Sequence, residues 1–135
     1  VNSVSMPVDD LNSIQCRMVG NIYLPKKMTY SQYISDALHK SLMTLNKLSD
    51  TPSNAHSLTV FLTRVNFSSV SGKWYIDADI TVDQNPAVRV TSVTDFGTAY
   101  IATIACQNTA EAFDEAVATF IKETLRHPEV IKNLN

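Results

Sequence analysis

The chain has 135 residues and a formal net charge of −2, with 11 Lys and Arg against 13 Asp and Glu. That length suits one domain, and a hydrophobic fraction of 44% is enough for a core, which excludes wholesale disorder. The near-neutral charge argues against a nucleic-acid binder, which normally carries a basic excess. No apolar run approaches the roughly 20 residues that a membrane helix needs.

The polar composition of the chain points to a compartment. Charged residues make up only 18%, below the roughly 25% of ordinary soluble domains. Serine, threonine and asparagine together supply 36 of the 135 residues, and therefore much of the polar surface. We interpret this balance as typical of exported proteins, and we expect any targeting segment to lie ahead of Val1.

The first part of the chain divides into a lead-in and a strand. Residues 1–12 lack hydrophobic periodicity and include Pro7, so they predict a tether or disordered lead-in, followed by a single domain over 13–135. Residues 13–24 are rich in β-branched and aromatic side chains. They predict a first strand that is interrupted near Gly20.

A capping box marks the start of the first helix. Thr29 and Gln32 fit the S/T-x-x-E/Q pattern, in which each side chain bonds the backbone N–H of the other residue. Apolar side chains then recur at helical spacing, and the turn-forming run at 49–54 ends the helix. The predicted stripe consists of Tyr30, Tyr33, Ile34, Ala37, Leu38, Leu42, Leu45 and Leu48.

Residues 57–67 predict a second strand that is apolar on both faces. Alternation puts Leu58, Val60 and Leu62 on one face and Phe61, Val65 and Phe67 on the other. Such a strand is usually covered on both sides. Two helices on one side of a sheet can cover only one set, so the second set must meet a long loop, the N-terminal lead-in, a second copy of the chain or a partner. We predict that it forms an interaction surface. Gly72 then allows positive φ in a hairpin turn.

Residues 74–83 alternate almost without exception and predict a third strand with one buried and one wet face. Asp77, Asp79 and Asp83 share the wet face. Oxygen ligands on one face suit calcium, but neighbours on that face lie about 6.6 Å apart along the strand. We therefore favour a solvated acidic face over a metal site.

The rest of the chain predicts strand structure followed by a helix. Residues 88–106 predict one long strand or two, with a bend near Gly97. A second helix is expected to start about Asn108, with Glu111 supporting the cap, and to stop before Pro128.

These elements predict an α+β domain in the order β-α-β-β-β-α. We expect an antiparallel sheet of about four strands with two helices on one face, because each helix has a single apolar stripe. The predicted core comprises Leu38, Leu42, Leu45, Trp74, Ile76, Ile80, Phe113, Val117 and Phe120.

Two cysteines, Cys16 and Cys106, leave two interpretations open. A disulfide would close a loop of about 90 residues, worth roughly 4–5 kcal/mol in the chain-entropy model, and requires an oxidising compartment. The alternative is two buried thiols that act as small apolar side chains.

No residue pattern predicts catalysis, a cofactor or a metal. The histidines His39, His56 and His127 have no second histidine or cysteine at i+2 or i+4, and no CxxC is present. No nucleophile elbow GxSxG supports a serine hydrolase. We therefore predict no catalytic, cofactor-binding or metal-binding residues.

The layout resembles the soluble domains of small outer-membrane lipoproteins of Gram-negative bacteria. The similar parts are SLTVFLTRVNFSSVSGKWYIDADITVD and TAYIATIACQNTAEAFDEAVATFIKETLRHPEV, and the second resembles the closing strand and helix of the lipopolysaccharide-assembly lipoprotein class. The resemblance is one of element order over residues 13–126. It implies a periplasmic domain, attached to the outer membrane through an N-terminal anchor outside this chain.

The function expected on this basis is non-enzymatic. We predict a cell-envelope protein that binds a protein partner or lipid in envelope assembly or transport, with a homo-oligomer as a further option. One alternative is a secreted inhibitor or immunity-type protein. The other is a small enzyme or ligand binder on a cone-shaped α+β fold.

Overall fold

The computed structural model describes residues 3–5, 13–16, 20–23, 28–44 and 57–134. These residues form an α+β domain, as the sequence predicts. The strands are β1 (Ser3–Ser5), β2 (Ser13–Cys16), β3 (Gly20–Tyr23), β4 (Leu58–Ser68), β5 (Lys73–Val82) and β6 (Val88–Asp95). The helices are α1 (Tyr30–Thr44), α2 (Ala102–Glu111), α3 (Phe113–Arg126) and α4 (Pro128–Leu134).

The main sheet has the strand order β1-β4-β5-β6. Strands β4, β5 and β6 form an antiparallel meander, whereas the short β1 lies parallel to β4. Three residues of the predicted lead-in therefore belong to the sheet.

The predicted first strand over 13–24 is wrong in its placement. Its two ends, β2 and β3, pair with each other in a separate two-stranded sheet in which Cys16 lies opposite Gly20. The interruption seen near Gly20 in the sequence is the start of the second hairpin strand. The order β-α-β-β-β-α is thus not the order of the domain.

A β-bulge in β4 decides which side chains face the core. Leu62 lies opposite Ala78, but Arg64 lies opposite Asp77, so Thr63 is an extra residue in the ladder. Beyond the bulge, Val65 lies opposite the buried Ile76. One inserted residue exchanges the two faces of a strand.

The core lies between one face of the main sheet and helices α1, α3 and α4. The part of the predicted core within the described residues is buried, and Leu45 falls outside those residues. Phe113 sits at its centre, with its ring centroid 5.0 Å from those of Tyr33 and Trp74. Trp74 Nε1 donates to the carbonyl of Thr109 at 2.8 Å, which satisfies the indole N–H inside the core.

The capping box of α1 is confirmed. The backbone N–H of Thr29 donates to Gln32 Oε1 at 3.0 Å, and the N–H of Gln32 donates to Thr29 Oγ1 at 3.3 Å. Two N–H groups that lack intrahelical partners are thereby satisfied. Residues 45–48, the predicted last turn, lie outside the described residues.

The second predicted helix is longer than expected and is broken once. Strand β6 ends at Asp95, and α2 begins at Ala102, where the sequence predicted more strand. Asn108 does not cap a helix start, because its Nδ2 donates to the carbonyl of Gly97 at 3.0 Å from within α2. The helix break at Ala112 separates α2 from α3, and α3 ends before Pro128 as predicted.

Candidate interaction site

The face of the main sheet that points away from the helices carries ion pairs between neighbouring strands. We call this the outer face. Arg64 Nε lies 3.1 Å from Asp77 Oδ2, Arg89 Nε lies 2.6 Å from Asp79 Oδ1, and Lys73 Nζ lies 2.5 Å from Asp95 Oδ1. The Arg64 guanidinium also stacks 4.3 Å from the ring centroid of Tyr75. Charges of opposite sign face each other across the strands, so this face is polar and accessible to solvent.

The predicted interaction surface of Phe61, Val65 and Phe67 is wrong as a set. The bulge turns Val65 and Phe67 towards the core, where both are half-buried. Phe67 packs on Trp74 with ring centroids 5.0 Å apart. Phe61 alone remains on the outer face, 40% exposed and opposite Asp79, which is too small a surface to form a binding site by itself.

The aspartates of β5 and its following turn all have partners. Asp77 and Asp79 pair with arginines, and Asp83 Oδ1 accepts a hydrogen bond from the Ser57 N–H at 2.9 Å. No group of three or more metal-binding side chains occurs within the described residues. The solvated acidic face predicted from the sequence is instead an ion-paired one.

The two described histidines make a local contact or face solvent. His39 is exposed on α1, and His127 Nδ1 accepts a hydrogen bond from the Glu129 N–H at 3.2 Å just after α3. His56 lies outside the described residues.

An open depression of about 660 Å³ lies at the β5–β6 turn, where Asp83 Oδ1 already accepts the hydrogen bond from the Ser57 N–H.

Cys16 and Cys106 form a disulfide that ties β2 to α2. Both sulfur-bearing residues are buried, with Cys16 1% and Cys106 7% exposed. Phe67 packs against the pair from β4. The small hairpin is thus joined covalently to the helix beside the main sheet.

Four large apolar side chains are exposed on the segments at the end of the sheet where β4 turns into β5 and β6 ends. We call this set the apolar end. It consists of Val70, Tyr100, Ile101 and Ile104, which are 75%, 105%, 61% and 45% exposed. Val70 is in the β4–β5 turn, and the other three lie on the segment that leads into α2 and in the first turn of that helix. Side chains of this size are normally covered in a folded domain.

Hydrogen bonds to backbone carbonyls hold the apolar end in place. Gly72 closes the β4–β5 turn at φ +71°, and its carbonyl accepts the Phe96 N–H at 2.8 Å. The Thr98 hydroxyl donates to the Ser69 carbonyl, so the turn and the segment after β6 are joined twice. Asn108 binds Gly97 from α2. The exposed side chains therefore project from a fixed platform.

One face of helix α2 is buried and another is exposed. Ala105, Cys106 and Thr109 are buried, whereas Ile104 and the N-cap residue Ile101 are exposed. The sequence analysis missed the exposed pair because it assigned residues 88–106 to strands, and a strand pattern gives no reason to separate Ile101 from Ala105.

The apolar end has few charges of its own. Residues 96–111 contain no Lys or Arg, and Glu111, which bonds Gln107 at 3.1 Å, is their only acidic residue. The nearest basic side chain in the ladder, Lys73, is paired with Asp95. Within the described residues, the segment 96–111 thus offers apolar side chains without a positive charge of its own.

Three hydroxyl groups within the described residues are buried without a hydrogen-bond partner: those of Tyr30, Ser92 and Thr94. Burial raises the pKa of the Tyr30 phenol well above its usual range. Ser92 and Thr94 lie on the core-facing side of β6, beneath α3.

Comparison of the chain with protein-family models, with curated proteins and with solved structures gives no match. Among the described residues, no helix has the length and hydropathy required to cross a membrane.

Proposed function

We propose that this protein is a non-enzymatic, exported protein of the cell envelope that binds a protein partner through the apolar end. The observation that carries the proposal is the set of exposed apolar side chains held on a hydrogen-bonded platform. Tyrosine is among the side chains that contribute most to binding at the centres of protein interfaces, and the buried core of an interface is more apolar than its rim. The exposed side chains meet solvent here on segments that hydrogen bonds hold together, which reduces the entropy lost on binding.

The charge distribution favours a protein over a lipid surface as the occupant. Anionic membranes are recognised through clustered Lys and Arg, each worth about 1 kcal/mol near the surface. The segment 96–111 supplies none, and Lys73 is engaged by Asp95. An apolar patch of this kind fits the apolar groove of another protein.

The disulfide supports the proposed compartment. A buried Cys16–Cys106 bond persists where thiols are oxidised, as in the periplasm or outside the cell, and is rare in the cytosol. Together with the low charge content and the lipoprotein-like layout, it favours export to the periplasm. Attachment to the outer membrane through an N-terminal anchor remains part of this proposal.

The proposed absence of catalysis rests on how the polar groups are used. Each aspartate of the β5 row is bound to a cation or a backbone N–H, and the two described histidines serve local contacts or face solvent. A general base needs an open position within hydrogen-bond reach of a substrate. These groups do not converge on such a position.

A photo-crosslinking experiment tests the partner proposal. A photoreactive amino acid replaces Ile101 in the chain exported to a bacterial periplasm, and the same substitution at Phe61 serves as the control on the outer face. We expect a discrete protein adduct from position 101 that is absent from position 61 and is lost when Ile104→Asp is added.

Vesicle flotation distinguishes the protein from a membrane. We expect no co-flotation of the purified chain with zwitterionic or anionic phospholipid vesicles. Flotation that Ile104→Asp abolishes would replace the protein partner with a lipid surface. Equal adducts from positions 61 and 101, or none from either, would reject the apolar end as a binding site.

A further inference from the structure

Strand β6 forms one edge of the main sheet and has no described strand on its outer side. It runs for 8 residues, against 3 for the strand at the opposite edge. Its side chains alternate between buried and exposed, and Val93 is 51% exposed beside the open edge. A long regular edge offers a row of backbone donors and acceptors to another strand.

The usual protection against edge pairing is missing from β6. Residues 88–95 contain no Pro or Gly, and the β5–β6 register has no bulge. No lysine interrupts the strand, and its two charged residues, Arg89 and Asp95, stand near opposite ends. Natural edge strands that stay single are normally blunted by one of these features.

We propose that β6 pairs with β6 of a second copy of this chain. The two strands run antiparallel about a two-fold axis at Ser92, so that the two main sheets join into one. In this register Arg89 lies opposite Asp95 of the second copy, and the symmetry forms that pair twice. Both residues lie on the outer face, so the ion pairs form on the accessible side of the joined sheet.

Charge complementarity extends beyond the two strands. Within each chain Arg89 lies opposite Asp79, and Asp95 lies opposite Lys73. Across the strands of the joined sheet, the side chains follow in the order Asp79, Arg89, Asp95 of the second copy and Lys73 of the second copy. The charges in this row alternate between negative and positive. The Arg89 and Asp95 side chains are 57% and 76% exposed and keep free donors and acceptors for this contact.

The complementarity selects one register. A shift by one residue would place core-facing side chains opposite outer-face ones, which the pleat forbids. A shift by two residues in either direction places Arg89 opposite a residue other than Asp95 of the second copy, so the ion pairs are lost. Only the axis at Ser92 pairs the charges and keeps both core faces on the same side.

The core-facing side of β6 supports the same axis. The buried Ser92 hydroxyl lacks a partner in the single chain, and the axis places it opposite Ser92 of the second copy. Opposite residues in an antiparallel pair have Cβ atoms about 4.5–5.5 Å apart, within reach of a hydroxyl–hydroxyl bond. Val93 and Thr91 face each other on the outer side, which covers the exposed valine.

A charge-exchange experiment on the full 135-residue chain tests the pairing. Arg89→Glu alone and Asp95→Lys alone each place like charges opposite one another in both copies of the pair. We expect either change to raise the dimer dissociation constant at least about tenfold. Mixing the two variants restores opposite charges at both positions, so we expect a heterodimer close to wild type in affinity.

Sedimentation equilibrium and native mass spectrometry provide the readout. Asp36→Lys is the matched control, because Asp36 also pairs with an exposed lysine, 3.0 Å away on α1, and lies far along the sequence from β6. We expect this variant to dimerise as wild type does.

Three outcomes would overturn the inference. They are a wild-type chain that is monomeric at high micromolar concentration, variants that dimerise unchanged, and a mixture that fails to form the heterodimer. A fourth outcome would also overturn it: a monomeric chain whose β6 pairs with a strand of another protein, since that strand would then occupy the place of the second copy. The proposed pairing uses residues 88–95 and none of the four side chains of the apolar end, so each proposal can fail without the other.

Discussion

Val65 lies opposite Ile76 in the β4–β5 ladder, although Leu62 lies opposite Ala78. Three steps along β4 correspond to two along β5, and Thr63 accounts for the difference. The core-facing residues before the bulge, Leu58, Val60 and Leu62, have even numbers, whereas Val65 and Phe67 after it have odd numbers. The strand that seemed apolar on both faces therefore has one buried face and one wet face, as β5 has.

This geometry predicts that polar substitutions at Val65 and Phe61 change the stability of the fold to different extents. Val65→Asp buries a carboxylate against the core without a partner, and we expect a loss of about 2–4 kcal/mol in the free energy of unfolding. Phe61→Thr removes a partly exposed ring and adds a good strand former, so we expect a change within about 1 kcal/mol. Urea unfolding measures both. A stable Val65→Asp protein would place Val65 on the outer face after all.

Gly72 is predicted to be intolerant of any side chain. Gly72 has φ +71°, and a Cβ there would clash with the carbonyl oxygen of Phe96. We expect Gly72→Ala to lower the free energy of unfolding by about 1–3 kcal/mol, because strain and clash add. Gly97→Ala is the control, since a Cβ at Gly97 meets nothing within 4 Å. Equal thermal midpoints for the two variants would contradict the contact between the turn and Phe96.

The disulfide predicts a stability that depends on redox conditions. Replacing Cys16 and Cys106 together by serine removes a cross-link between residues 90 apart, and we expect a loss of about 2–5 kcal/mol. Dithiothreitol, once it has reduced the bond in denaturant, should lower the wild-type unfolding midpoint to a similar extent. It should leave the double variant unchanged, and a shift in that variant would indicate that the reductant acts elsewhere.

The burial of the Tyr30 phenol predicts that the free energy of unfolding falls at alkaline pH. Burial raises the pKa of its phenol in the folded chain, so the unfolded chain releases its proton first as pH rises. Stability is therefore complete below the unfolded value of about 10 and falls above it. We expect Tyr30→Phe to flatten this decline. At neutral pH it should leave stability equal or up to about 1 kcal/mol higher, because the hydroxyl lacks a partner.

Denaturant unfolding at pH 8 and pH 11 separates these effects. Tyr100→Phe provides the control, because Tyr100 is fully exposed. An alkaline decline that is as steep in Tyr30→Phe as in the wild type would assign it to other groups.

Local features of the chain were correctly predicted from sequence where the determining contacts lie within a few residues. The capping box needs only Thr29 and Gln32, three positions apart, and the alternation of residues 74–83 is complete within one strand. Pro128 stops α3 by its own geometry. The α+β class follows from these local elements, and so does the burial of Trp74 and Phe113 on facing stripes.

The remaining features depend on contacts between distant segments, and only the tertiary structure decided them. The bulge at Thr63 exists because β5 fixes the register of β4, and no local signal marks an extra residue. The sequence left the bonding of Cys16 with Cys106 open, because thiols 90 positions apart pair only where the fold brings them together. Residues 102–106 suit strand and helix alike, and burial of Ala105 and Cys106 beside β3 and β4 selects the helix. That choice places Ile101 and Ile104 in solvent, and so it created the apolar end.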